Sequence, residues 1–190
     1  MKIYALCLAA ALAPGIYGEQ TKIVFEPAAT EVKFTLNTAL HAVHGNFTLK
    51  SGEVAFDPST GIASGELIVD ARSGHSGSDS RDSRMHKSIL ESSTYSTAIF
   101  IPKRVDGTVA PQGTSNVLVH GTMKLHGTDH EFTLPVEVRM NGGQVTALSH
   151  FTIPYVKWGL KNPSMFLLKV NENVEIDIRG SATMGTGSHP

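Results

Sequence analysis

From residue 22 onward, apolar and polar residues alternate with a period of two, and no other feature constrains the fold as tightly. Val32, Phe34 and Leu36 are interleaved with Glu31, Lys33, Thr35 and Asn37. Phe47 and Leu49, Val54 and Phe56, and Leu67 and Val69 repeat the pattern. Val117, Val119, Gly121, Met123 and Leu125 share one face, with His120, Thr122, Lys124 and His126 on the other. Phe132, Leu134, Val136 and Val138 follow, then Val145, Ala147, Phe151 and Ile153, and finally Val174, Ile176 and Ile178. Successive strand residues point to opposite faces, so each run has an apolar side to bury and a polar side to solvate.

Turn residues separate the runs. The chain holds 18 glycines and 9 prolines, which suits many short connections. Lys50-Ser51-Gly52, Asp57-Pro58-Ser59-Thr60-Gly61, His126–Glu131 around Gly127, and Asn141-Gly142-Gly143 are hairpin candidates. Short connections imply antiparallel neighbours, and about eight such strands give an all-β fold, a closed barrel or a sandwich. One stretch breaks the period. Asp79–Ser92 reads as a helix with Met85, Ile89 and Leu90 as its apolar stripe, capped by Asp79 or Ser80 with Asp82 in its first turn. The expected place for this helix is across one mouth of the barrel. Ser73–Ser78 before it reads as a polar loop, and Tyr155–Phe166 is a second irregular stretch.

The N-terminus has the pattern of a secretory signal peptide: Lys2, the apolar run Ile3–Ala13, and the breakers Pro14, Gly15 and Gly18. That run is well short of the ~20 residues a membrane-spanning helix needs. The expected organisation is a signal peptide over 1–18, a β-barrel domain over 19–184 and a polar tail over 185–190, in a periplasmic or secreted protein. Cys7, the only cysteine, falls in the leader, so the exported chain would have no disulfide, thiolate nucleophile or cysteine metal ligand.

Candidate chemistry is sparse. A formal net charge of −1 and the lack of any lysine/arginine run argue against nucleic-acid binding. Nine histidines invite a metal reading, but no three converge by spacing. His41 and His44, three apart on a strand, face opposite ways. No Gly-x-Ser-x-Gly elbow or phosphate-cradling loop is present. The run Ser80-Arg81-Asp82-Ser83-Arg84 is read as salt bridging on a helix surface. No catalytic residue, metal or cofactor is expected. The inward aromatic set, Phe34, Phe47, Phe56, Phe132 and Phe151, either fills the barrel or lines a cavity, and patterning alone favours the filled barrel.

An ordered set of short motifs resembles the YceI family. Val32-x-Phe34-x-Leu36 with Gly45-x-Phe47 is similar to its first hairpin, and Gly52-x-Val54-x-Phe56-Asp57-Pro58 to its second. Arg81-Asp82 with Met85-His86-Lys87-Ser88 resembles its helix, and Tyr95–Phe100 a following strand, with Ser96 where the family usually has proline. Gly121-x-Met123-x-Leu125-His126-Gly127, Ile153–Leu160 with Trp158-Gly159, and Val174-x-Ile176-x-Ile178 complete the series. Pro154 and Lys161–Met165 depart from it.

The resemblance covers residues 22 to 180 in order. It implies an extended, eight-stranded, antiparallel lipocalin-like barrel with a short helix near one mouth. It also implies a long-chain lipid partner, a polyisoprenoid, quinone or other amphipathic lipid, with transient membrane contact and no catalytic residues. On that implication the ligand-binding residues are Phe34, Leu36, Phe47, Phe56, Leu67, Val69, Phe132, Leu134 and, near the mouth, Trp158. Two alternatives stay open: an enzyme acting on a lipid held in the same barrel, and a filled-barrel stress-response adaptor.

Overall fold

The computed structural model describes residues 20–165 and 168–186. The leader read over 1–18, with Cys7, lies outside the described residues. The strands are β1 (Thr21–Phe25), β2 (Glu31–Asn37), β3 (Ala42–Phe56), β4 (Ala63–His75), β5 (Thr97–Asp106), β6 (Gly113–Leu125), β7 (Thr128–Asn141), β8 (Gln144–Ile153) and β9 (Val174–Thr186). All neighbouring pairs are antiparallel, and β2 pairs with both β3 and β9, which closes β2–β9 into an eight-stranded barrel. The ninth strand, β1, pairs with β3 over Glu53–Phe56 and with β9 over Ala182–Thr186. It therefore occupies the same position in the wall as β2, further along the barrel. A single 3-10 turn at Pro27–Ala29 separates the two. Proline at the start of that turn needs no N–H partner and has its φ already set.

Several sequence expectations change here. Lys50-Ser51-Gly52 makes no hairpin: β3 runs straight through it for 15 residues, with a register shift between Leu49 and Ser51. Turn-forming residues serve a β-bulge equally well. Ser73-Gly74-His75 is strand, with His75 paired to Asn46, so the polar loop shrinks to Ser76–Ser78. β9 continues through Gly185 and Thr186, two residues into the expected tail, because β1 offers them a partner strand. The helix α1 is short (Asp79–Arg84) and widens into a π-helical turn over Met85–Ile89. Ser78 stands at its N-cap without a side-chain cap bond.

Other turns agree with the reading. Asp57 caps the β3–β4 turn, its carboxylate accepting from the Ser59 N–H at 2.8 Å. Gly142 and Gly143 have φ of 57° and 84°, as a two-residue hairpin with the strands' own twist requires. The β6–β7 turn is equally tight, only His126-Gly127, with φ of 51° and 76°.

Long strands let one barrel do two things along its length. At ~3.4 Å per residue, β3 spans about 50 Å. One end is packed solid by Ile23, Phe56, Ala63, Val105, Val117, Val138, Met140, Val145 and Ala182. A second cluster, including Phe34, Phe100, Met123, Phe151 and Ile176, lines the other half, over which α1 and the Tyr155–Met165 stretch lie.

Gly121 shows how tightly the wall is built. It faces Pro102 on β5, beside a bulge between Pro102 and Arg104. A Cβ there would collide with the Ile101 carbonyl oxygen and sit 2.8 Å from the Phe100 ring. Gly121→Val is expected to cost about 1–3 kcal/mol through overpacking. An unchanged or raised melting temperature would contradict this account of the site.

Candidate ligand cavity

The open half of the barrel encloses a cavity of about 640 Å³. Its wall comes from inward positions of β2 to β9. Phe34, Leu36, Phe47, Leu67, Val69 and Leu134 line it, as do Phe100, Met123, Phe151 and Ile176, which belong to the same alternation on their own strands. Ala71, Ala98 and Ala147 keep it open, since nothing beyond Cβ enters the lumen from them. Two lining hydroxyls are already engaged within the wall: Ser149 Oγ donates to the Pro135 carbonyl at 2.7 Å and Thr30 Oγ1 to the Glu26 carbonyl at 2.8 Å.

Three expected site residues lie elsewhere. Phe56 belongs to the solid end. Phe132 has the inward parity of Leu134, but it packs edge-on against Phe151 and Trp158, each ring 5.5 Å away. Trp158 stacks flat on His130 at 4.1 Å. These residues fill a wedge between β7 and β8, and Pro135 explains the wedge. The Ser149 bond shows that the Pro135 carbonyl faces β8; in an antiparallel strand the amide nitrogen of the same residue faces the same neighbour. Proline has no N–H to give, and the β7–β8 ladder runs only from Asn141–Gln144 to Glu137–Leu148.

The segment across the mouth is tied down at both ends. His86 bridges the Gly74 carbonyl at 2.8 Å and the Ser92 hydroxyl at 3.0 Å. Glu91 meets His126 on the β6–β7 turn at 2.8 Å, and Tyr95 packs on the His126 ring. Met85, Ile89 and Leu90 then face the cavity, as their stripe predicted. Tyr155, buried below the second loop, donates to the Asn171 carbonyl at 2.7 Å. Burial, helped by the Glu172 carboxylate, pushes its phenol up to about 12, so it remains a donor at any ordinary pH.

Asp82 organises the approach to α1. Its carboxylate accepts from the Ser76 N–H at 2.9 Å, from the Ser76 hydroxyl and from His75 Nδ1 at 2.8 Å. The charged run therefore does not salt-bridge along the helix as read from sequence: its acid is buried and engaged by residues before the helix. Burial alone would raise the Asp82 carboxyl, but the Ser76 bonds and His75 outweigh it and hold it below the usual range. A depressed carboxyl stabilises the fold above about pH 3.9, its unfolded value, and that contribution fades as pH falls through the folded value. Asp82→Ala should cost about 1–3 kcal/mol by leaving the Ser76 donors unpaired. It should also flatten the acid limb of melting temperature against pH. Wild-type-like stability with an unchanged acid limb would contradict the role.

At the rim, the Thr38–His41 loop is joined to the stretch before β9 by the Ala39 N–H donating to the Lys169 carbonyl at 2.9 Å. Leu40 is 78% exposed and Met165 60% exposed on these two loops.

A family model described as the YceI-like domain matches residues 24–182. No curated protein matches the chain. Among solved structures, BcnA of Burkholderia cenocepacia is similar at 20% identity and a TM-score of 0.67, over 84% of this chain and 99% of that one. A polyisoprenoid binding domain from Saccharophagus degradans, described as implicated in plant cell wall breakdown, is similar at 16% identity and a TM-score of 0.60, over 86% and 98%. The YceI protein of Campylobacter jejuni is similar at 10% identity and a TM-score of 0.53, over the whole of both chains. At these identities the likeness is one of fold.

Proposed function

This chain belongs to the YceI-like family, and on that premise we propose that it is an extracytoplasmic carrier for a long-chain apolar lipid. The observation that supports this most is the 640 Å³ cavity with apolar walls and polar side chains gathered at its mouth. The volume falls within the range of small-molecule pockets. At about 30 Å³ per water-sized group it takes roughly twenty such groups, the size of a C20 chain. The Saccharophagus degradans domain, described as binding polyisoprenoids, supports the same class of ligand. Binding rather than catalysis accords with the Ser149 and Thr30 hydroxyls of the lining, which are already bonded within the wall.

The exposed Leu40 and Met165 at the rim suit brief contact with a bilayer while the chain slides in or out. Export rests on the N-terminal pattern, and intact mass of the envelope-fraction protein should show a chain beginning at Glu19; a retained Met1–Gly18 segment would contradict it.

The direct test is calorimetric titration of delipidated protein with geranylgeraniol, a C20 polyprenol. Saturable binding of one molecule per chain, with a negative heat-capacity change from apolar burial, is expected. No saturable binding would mean that the cavity is not a lipid site.

A further inference from the structure

We propose that the lipid this cavity selects carries an anionic head group, a phosphate or a carboxylate, bound at the mouth by Arg81 and Arg84. The inference rests on the carrier reading above and adds the chemistry of the head group. Both arginines line the cavity, and they stand three apart on α1, where residues are neighbours on one face. The residues lining the cavity include these two guanidinium groups and His41 but no carboxylate. That bias is local, because the whole chain has a formal net charge of −1.

Of the four arginines elsewhere on the barrel, three hold acids and, among the described residues, Arg179 does not. Arg72, Arg104 and Arg139 meet Asp70, Asp106 and Glu137 at 3.0, 2.6 and 2.5 Å. Among the described residues, neither Arg81 nor Arg84 has such a partner. Asp82, the acid between them, is engaged by Ser76 and His75. Arg81 is held in place without being neutralised: its Nε donates to the Ser76 hydroxyl at 2.8 Å and one terminal nitrogen to the Ser76 carbonyl at 2.7 Å. Its other terminal nitrogen and the whole Arg84 fork stay available. Guanidinium forks match the oxygens of phosphate and carboxylate, and such charge-assisted bonds are stronger than neutral ones. A chain filling the apolar lumen from this mouth would leave its head group beside them.

The test compares C20 ligands that differ at the head: geranylgeraniol, geranylgeranyl monophosphate and arachidate, with inorganic phosphate as a chainless control. The two anions should bind about tenfold or more tightly than the alcohol, by an advantage that shrinks with added salt. Arg84→Gln should reduce that advantage, and Arg81→Gln with Arg84→Gln should remove it. Equal or tighter binding of the alcohol, or an anion preference untouched by Arg84→Gln, would overturn the head-group inference while the carrier reading stands. Inorganic phosphate binding as tightly as the lipid phosphate would overturn it too, by showing a free-anion site. If none of the C20 ligands binds saturably, the carrier reading falls with it.

Discussion

Filling the lumen from its own wall, by Ala98→Phe together with Ala147→Phe, is expected to abolish uptake of a long apolar chain while leaving the protein folded. Both alanines line the cavity, on β5 and β8. Two rings placed in a 640 Å³ lumen displace ligand rather than packed side chains. Losing room for only four methylenes forfeits about 3 kcal/mol of burial, more than a hundredfold in affinity. The rings gain apolar contacts of their own, so the melting temperature of the ligand-free variant should hold or rise. Calorimetric titration and thermal unfolding of the same preparation read both effects. A variant that still takes up geranylgeraniol with wild-type affinity would place the ligand outside the lumen.

The second large effect comes from a charge in the same space. Phe47 packs against Phe34, ring centres 5.4 Å apart, and its side chain occupies the space that a Cβ on Gly74 would enter, close to Met85. In Phe47→Asp a carboxylate among these groups has no partner, at a cost of several kcal/mol unless it takes up a proton. Burial raises its folded pKa above the unfolded value of about 3.9. The sign follows: above about pH 3.9 the unfolded chain releases a proton that the folded chain keeps, so the variant loses stability as pH rises. It should be more stable at pH 5 than at pH 8 and should carry no lipid at pH 8. Equal stability at the two pH values, with lipid retained, would mean that position 47 faces water.

Alternation reads out which face of a strand a residue occupies but is silent on its height along the barrel. Phe47 and Phe56 both read as inward; one lines the cavity, and the other helps pack the solid end. Cavity and plug use the same residue types, so the choice between hollow and filled is not local. It depends on how many small residues face the lumen, as Ala71, Ala98 and Ala147 do. Phe151, read as inward, does line the cavity, and Phe100 and Ile176 follow from the same parity rule applied to β5 and β9.

Turn chemistry was legible at Asp57–Gly61 and Asn141–Gly143. It misled at Lys50-Ser51-Gly52, because serine and glycine mark bulges as readily as turns. Asp82 was misread for a different reason. The charged run suggests salt bridging on the helix surface, yet Arg81 and Arg84 stand only one and two residues from Asp82, spacings that do not face each other on a helix; the chain instead folds Ser76 and His75 back onto it from before the helix. The availability of the two arginines follows from that fold-back and from nothing visible in the run itself. Trp158 shows the same limit, since its contact with His130 depends on the loop after β8 returning to β7.

Mass spectrometry of solvent extracts from the native protein, purified from its own cell envelope without detergent, tests the carrier reading most directly. The account predicts one long-chain lipid species, of roughly twenty carbons or more, approaching one molecule per chain. The same extract from the Ala98→Phe, Ala147→Phe variant should contain none. Wild-type protein that yields no lipid, or a variant that yields as much as wild type, would contradict it.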